Sequence, residues 1–206
     1  MYIPRHNAFF FHTPKTGGTS VEIFFLNDDG IPVDHHELSQ KLTSEQKSKY
    51  IISKKVKEFQ YESQHITCEC AIKMELWKNI QYSFTFVRNP WDRFVSEYHW
   101  LHQRMKKKYT IDQVIQMYIS EKSSHFIPQW KYAYSGNTKI VDDIFQLENI
   151  EYAEKTLSNK LGVDVQFKSY NKTKRAAGYK DFFTGDMRKR LESVFEKDMD
   201  LFGYEY

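Results

Sequence analysis

The length of 206 residues allows one substantial hydrophobic core and is short for two, so the sequence predicts a single domain over residues 1–206. A composition of 40% hydrophobic and 17% aromatic residues excludes a disordered chain. The formal net charge of only +3 argues against a general polyanion binder, so we expect no nucleic-acid partner.

The N-terminal segment and the cysteines favour a soluble, cytoplasmic protein. The segment lacks the charged and apolar regions of a signal peptide, and no run approaches the roughly 18 apolar residues of a membrane span. Cys68 and Cys70 fit neither a zinc site nor a disulfide scaffold. We therefore expect free thiols, a reducing compartment and no membrane-spanning helix.

The first predicted elements are a strand, a turn and a helix. The apolar run Ala8–His12 predicts a buried parallel strand that ends before Pro14. Thr19 or Ser20 is the expected cap of the following helix, which residues 27–30 end. A second helix is possible over residues 44–59.

The later elements continue this alternation. Residues 80–88 predict the second strand, and the apolar spacing after Pro90 predicts a helix. The remaining predicted elements are a helix over 110–120, a strand within 140–150, a helix over 151–161 closed by Gly162, and a last helix from about Asp186. Alternating strands and helices indicate an α/β fold with a central parallel sheet and helices on both faces.

The loop between the first strand and helix reads PKTGGTS, residues 14–20. A glycine turn at a helix start presents backbone N–H groups to an anion. Gly17 and Gly18 would let an oxyanion approach without a Cβ in the way, and Lys15 adds positive charge. Hydroxyl donors come from Thr16, Thr19 and Ser20. The alternative is an ordinary tight turn with a capping threonine.

The position of Lys15 separates this loop from the Walker A pattern, in which the lysine follows the second glycine. Here Lys15 precedes both glycines. A magnesium-dependent nucleotidase is therefore disfavoured, and the loop predicts an anionic donor that needs no metal.

A second polar segment, RNPWDRFVSEY over residues 88–98, follows the second predicted strand. Arg88 at the strand end could bind a phosphate through two N–H groups, and Ser96 in the following helix could donate to the same group. The alternative is a surface pair of Arg93 with Asp92 or Glu97 on a helix that otherwise packs in the core.

Together, PKTGGTS and RNPWDRFVSEY resemble the two nucleotide-binding motifs of the sulfotransferases. The first is similar to their 5′-phosphosulfate loop and the second to their 3′-phosphate motif. The resemblance extends through HITC (65–68), HFIPQW (125–130), IFQLENI (144–150) and KDMDLFGY (197–204). It therefore covers most of the chain, and it resembles in particular the carbohydrate enzymes of the heparan sulfate 2-O type and their bacterial relatives.

The resemblance implies a sulfotransferase fold, a P-loop-like parallel sheet flanked by helices, with 3′-phosphoadenylyl sulfate (PAPS) as donor and no metal. Residues Lys15, Thr16, Gly17, Gly18, Thr19 and Ser20 would hold the 5′-phosphosulfate. Arg88 and Ser96 would hold the 3′-phosphate. Lys172 and Lys174, in NKTKR, would close over the nucleotide, unless that loop is simply solvated. Lys15 would also stabilise charge on the leaving oxygen.

The resemblance further implies a base for the acceptor hydroxyl, and His65 matches the catalytic histidine of the 2-O-sulfotransferase-like enzymes. Its rivals are His35, His36 and Glu22, whereas we expect His12 to pack at the strand end. The expected acceptor is a carbohydrate or another small hydroxyl compound. As given, the chain has no N-terminal membrane anchor like that of the animal Golgi enzymes, which favours a bacterial or viral enzyme.

Four residues are candidates for the acceptor surface. Sugar contacts are plausible at His125, Gln129, Trp130 and Tyr134, because aromatic faces stack on sugar rings and amides bond hydroxyls. The alternative is that these four side chains belong to the core.

Two other functions remain open at this point. One is a small-molecule kinase of P-loop ancestry that uses ATP and magnesium. The other is a nucleic-acid binding module that uses RMKKK (104–108), NKTKR (171–175) and tyrosine stacking.

Overall fold

The centre of the computed structural model is a four-stranded sheet within the residues that the structure describes, which are 1–34, 42–50, 63–74, 79–103, 108–170 and 178–206. The strands are β1 (Tyr2–Ile3), β2 (Ala8–Phe11), β3 (Tyr82–Val87), β4 (Tyr134–Ser135), β5 (Thr138–Lys139) and β6 (Asp143–Gln146). The order of the sheet is β1-β2-β3-β6, and β4 and β5 form a separate hairpin. Strands β2, β3 and β6 are parallel, and β1 is antiparallel at the edge.

Seven helices accompany the sheet within the described residues. They are α1 (Gly18–Asp28), α2 (Ser44–Lys49), α3 (Cys68–Lys73), α4 (Pro90–Gln103), α5 (Ile111–Ile119), α6 (Ile150–Leu161) and α7 (Gly185–Phe202). Short 3-10 turns at Ser63–His65, Ser124–Phe126 and Gln129–Tyr132 also contribute to the site.

Both faces of the sheet are covered, because every residue of β2 and β3 is buried. On one face, Phe10 stacks on Phe84 with ring centroids 5.2 Å apart, and Phe25 of α1 and Leu157 of α6 join the same cluster. On the other face, Phe11 packs in a cluster with residues of α3. A third cluster joins α4, α5 and α7. The predicted α/β fold, with a mostly parallel central sheet flanked by helices, is confirmed.

Several helices begin or end at residues whose types favour a helix terminus. Helix α4 begins at Pro90, Gly162 ends α6 with a φ of 68°, and Thr110 caps α5 through a capping box. Strand β1 and the β4–β5 hairpin were not predicted from the sequence. Of the possible helix over residues 44–59, α2 covers Ser44–Lys49, and residues 51–59 lie outside the described part.

The predicted cap of α1 is wrong. The helix begins at Gly18, with Gly17 as its N-cap at a φ of 83°, so neither Thr19 nor Ser20 occupies the cap position. The left-handed conformation of Gly17 turns the chain into the helix earlier than a threonine cap would. The Ser20 N–H donates to the Gly17 carbonyl at 2.9 Å and closes the first turn.

The carboxyl ends of the three parallel strands lie at one edge of the sheet, where ligands of open α/β sheets bind. Contacts between the segments that follow these strands show that they meet. Arg88, after β3, donates from Nη1 to the Lys15 carbonyl, after β2, at 3.2 Å. The Asn89 N–H donates to Glu148, after β6, at 2.8 Å. No helix among the described residues is long and apolar enough to cross a membrane.

Candidate active site

The loop between β2 and α1 has the backbone form of an anion site. Lys15 and Gly17 take positive φ angles of 68° and 83°, and α1 begins directly afterwards. Residues that alternate in this way turn successive N–H groups toward one point, and the first N–H groups of a helix lack a preceding turn to bond to, although that of Ser20 already donates to Gly17. Gly17 is exposed, and Lys15 and Thr19 are half-buried, so the turn is open to a ligand.

Gly18 has a different role from the one predicted for it. A Cβ built at this position lies 2.2 Å from Cδ2 and Nε2 of His12, so the imidazole occupies the space that a side chain would need. The ring cannot easily move, because its Nδ1 donates to the buried carboxylate of Glu22 at 2.8 Å. The absence of a side chain at Gly18 therefore leaves room for the His12 ring, and Gly17 supplies the exposed part of the turn.

We expect Gly18→Ala to lower the free energy of unfolding by about 1–3 kcal/mol, because the added methyl group overpacks the His12 ring. Urea denaturation measures the change. Gly185→Ala is the matched control, since nothing lies within 4 Å of a Cβ at that position. Equal stability of Gly18→Ala and the wild type would show that the ring can move aside.

Thr16 supports the loop from within. It is buried, and its hydroxyl donates to the Thr13 carbonyl at 2.8 Å, so this hydroxyl is committed to the turn. Thr13 in turn contacts Thr85 of β3 at 3.0 Å between hydroxyl oxygens. The predicted contact of the Thr16 side chain with a phosphate does not fit this geometry, and its contribution is to fasten the loop to β3.

Arg88 lies at the end of β3, directly against the loop. Its Nε donates to Asp92 at 2.7 Å, and its Nη2 also pairs with that carboxylate. Together with the Nη1 bond to Lys15, these contacts hold the guanidinium between Asp92 and the backbone of the loop. The backbone of Arg88 is fixed by the Gln129 amide, which accepts from its N–H at 2.9 Å and donates to its carbonyl at 2.8 Å.

The contacts of Gln129 correct its predicted role as a sugar ligand. The residue is 0% exposed, and its backbone N–H donates to Asp198 at 2.9 Å. Burial raises the pKa of Asp198, although the hydrogen bonds from Gln129 and Trp130 act in the opposite direction. Gln129 therefore belongs to the buried support of Arg88. Trp130 and Tyr134 pack partly buried against the core.

The surface pair suggested for Arg93 is also wrong. Arg93 is 1% exposed, its Nε donates to the Pro14 carbonyl at 3.0 Å, and its Nη2 donates to the His125 carbonyl at 2.8 Å. Asp92 pairs with Arg88 instead. Arg93 thus connects the loop to the Ser124–Phe126 turn. Ser96 lies on the buried side of α4 with 5% of its surface exposed, and its contact with a phosphate stays a prediction.

His65 lies in the 3-10 turn before α3, close to the loop. Its Nδ1 donates to the His12 carbonyl at 2.9 Å, which leaves the lone pair of a neutral ring on Nε2. The ring contacts those of His12 and His125, at centroid distances of 4.5 and 5.1 Å. Burial, followed by the charges of His12 and His125, holds the pKa of His65 well below its ordinary value. The residue is 5% exposed.

Of the other candidates for the base, one is fully buried and two lie outside the described residues. Glu22 is 0% exposed, and both carboxylate oxygens accept hydrogen bonds, from His12 at 2.8 Å and from Gln64 at 2.9 Å. It is thus occupied as a support of His12, which packs at the strand end as expected. His35 and His36 lie outside the described residues, as do Lys172 and Lys174.

A strand, a turn with the backbone form of an anion site, a helix and an arginine at the neighbouring strand end lie together at one edge of the sheet. The family model described as "Sulfotransferase family" matches residues 1–205. The chain belongs to the sulfotransferase family. The resemblance drawn from the two motifs is confirmed, and the protein is an enzyme that transfers sulfuryl groups. No curated protein and no solved structure matches the chain.

Sequence reasoning missed two residues near the loop of this sulfotransferase. Glu97, 0% exposed, accepts from His125 Nδ1 at 2.9 Å. Trp100 stacks on the His125 ring at 4.8 Å and lies 5.2 Å from the Lys15 ammonium. Their spacing was the available signal, because Arg93, Glu97 and Trp100 recur at i, i+4 and i+7 and so share one face of α4.

In the described part of the sulfotransferase, no group of three or more histidine, cysteine, aspartate or glutamate side chains is arranged to hold a metal ion.

Proposed function

We propose that this sulfotransferase, acting as one domain over residues 1–206, transfers the sulfuryl group of PAPS to a hydroxyl of a carbohydrate or another small acceptor. The observation that carries the proposal is the contact between the two motifs, in which Arg88 donates to the Lys15 carbonyl at 3.2 Å. It places a guanidinium beside a turn with the backbone form of an anion site, so positive groups from both motifs are available to a donor with two anionic ends.

The residues of the turn fit a phosphosulfate group. Lys15 and Gly17 have a left-handed backbone, α1 begins directly after them, and the hydroxyl-bearing residues Thr19 and Ser20 are half-buried, so the turn offers donors for an anion. Arg88 and Ser96 would receive the 3′-phosphate, with Lys172 and Lys174 over the nucleotide. Arg88 offers the stronger contact, because a guanidinium binds phosphate through paired N–H groups.

The proposed transfer step is a displacement at sulfur. The acceptor oxygen attacks sulfur, a new S–O bond forms, and the bond from sulfur to the bridging phosphate oxygen breaks in line. The departing group is 3′-phosphoadenosine 5′-phosphate, and Lys15 stabilises the charge that develops on its oxygen. The acceptor proton passes to Nε2 of His65, which is unprotonated in the neutral ring.

The carbohydrate acceptor rests on the resemblance to the 2-O type of enzyme and on one feature of the structure. Of the four residues suggested as sugar contacts, Gln129 is buried in the support of Arg88. His125 keeps 22% of its side chain exposed and contacts His65 at a centroid distance of 5.1 Å. It is therefore the one of the four that lies beside the proposed base.

Transfer of labelled sulfuryl from PAPS to a panel of sugars, with and without EDTA, tests the proposal. We expect activity to survive the chelator, because Lys15 and the helix start supply the positive charge that magnesium supplies in Walker A enzymes. Loss of activity with EDTA, restored by magnesium, would favour the ATP-dependent kinase. Salt-sensitive binding of single-stranded nucleic acid without competition by PAPS would favour the binding module.

A further inference from the structure

His65 contacts two imidazoles that are each held by a buried carboxylate. Its ring centroid lies 4.5 Å from that of His12 and 5.1 Å from that of His125, and both contacts are edge to face. His12 Nδ1 donates to Glu22 at 2.8 Å, and His125 Nδ1 donates to Glu97 at 2.9 Å. Both glutamates are 0% exposed.

We infer that His125 is a further positioning residue of the transfer site: held by Glu97, it restrains the ring of His65 and opposes its protonation. The inference rests on the proposed function, in which His65 receives the acceptor proton. The sequence motifs do not assign this role to His125, which was predicted only as a sugar contact.

The environment of His125 fixes both its ring and its backbone. A buried carboxylate is costly unless it is paired, and Glu97 Oε1 has no hydrogen-bond partner within the described structure. The pairing of Glu97 therefore depends on His125, which donates to the other oxygen. Trp100 stacks on the ring at 4.8 Å, and Arg93 binds the His125 carbonyl at 2.8 Å. A ring held in this way keeps a constant position against His65.

Several titratable groups surround His65. They are the imidazoles of His12 and His125, the carboxylates of Glu22 and Glu97 behind them, and the terminal amine of Met1. Burial lowers the pKa of His65 most, the charges of His12 and His125 lower it further, and the bond to the His12 carbonyl acts in the opposite direction. Removing the imidazole of His125 removes one opposing charge, so His65 should accept its proton at a higher pH.

Long-range proton–nitrogen NMR of the imidazoles tests this directly. His125→Gln keeps an N–H donor for Glu97 and removes the titratable ring. We expect the His65 midpoint to rise by roughly one pH unit in this variant, with the acid limb of kcat/KM moving by the same amount. His6→Gln is the matched control, because His6 lies 2.6 Å from Asp28 in a pair at the other end of α1. It should leave His65 unchanged.

A His65 titration that is the same in His125→Gln and the wild type, or a ring that stays neutral over the same pH range in both, overturns the inference. His125→Asn replaces the glutamine variant if that one does not fold. The His65 titration is measured without turnover. A protein that transfers no sulfuryl group would therefore contradict the proposed function, and the effect of His125 on the His65 midpoint could still be measured. A His65→Ala enzyme with full activity beside an inactive His125→Gln enzyme would make His125 the base and equally refute its positioning role.

Discussion

His65→Ala is expected to lower turnover by about 10²–10⁴ and to leave binding of 3′-phosphoadenosine 5′-phosphate intact, because the variant removes the group that receives the acceptor proton. The rate requires the neutral ring. Since the pKa of His65 is lowered below its ordinary value of 6.5, the acid limb of the wild-type rate should lie below that pH, and the variant should lose it. A pH profile of kcat with calorimetry of the nucleotide measures both effects.

The controls for this prediction are the same change at His35 and at His36. If His65→Ala keeps nearly full activity and either control does not, the base lies in the DHHEL segment. If all three variants stay active, Glu22 is the next residue to change, although both of its oxygens already accept hydrogen bonds.

The second large effect is expected at Arg88. Arg88→Ala should weaken binding of 3′-phosphoadenosine 5′-phosphate by about 2–5 kcal/mol, because it removes the guanidinium that is proposed to pair with the 3′-phosphate. Lys15→Ala should mainly lower turnover, since its charge acts on the leaving oxygen. Calorimetry and kcat on both variants separate the two roles.

Two further variants show whether the guanidinium itself binds the phosphate. Arg88→Lys keeps the charge and loses the paired N–H groups, so its affinity should lie between those of the wild type and Arg88→Ala. Asp92→Asn removes the carboxylate that competes for Arg88 and should bind the nucleotide at least as tightly as the wild type. Unchanged affinity in Arg88→Ala, with an unchanged melting temperature, would refute the assignment.

The parts of the fold that could be predicted from the sequence depend on local rules. The aromatic strands β2 and β3, the proline at the start of α4 and the glycine that ends α6 are each determined by nearby residues. The start of α1 could not be predicted, because it depends on the left-handed backbone of Gly17. Thr19 and Ser20, which follow closely, are residue types that commonly cap helices and were predicted as the cap instead.

The candidate site could be located from the sequence where charged residues follow predicted strands, as at Lys15 and Arg88, whose roles stay predictions. It was not predictable where contacts join distant segments. The absent side chain of Gly18 accommodates His12, and Gln129 supports the backbone of Arg88. Glu97 is defined by its pairing with His125 across the fold, which helical periodicity alone does not reveal.

The most direct test of the account is calorimetry of the wild-type enzyme with two adenine nucleotides in the presence of EDTA. 3′-Phosphoadenosine 5′-phosphate carries the 3′-phosphate that Arg88 is proposed to bind, and adenosine 5′-diphosphate has no phosphate at that position. We expect the first to bind at least about thirtyfold more tightly, which corresponds to a lost contact of about 2 kcal/mol. Equal affinities, or binding of ATP with magnesium and none of the 3′-phosphorylated nucleotide, would contradict the proposed donor.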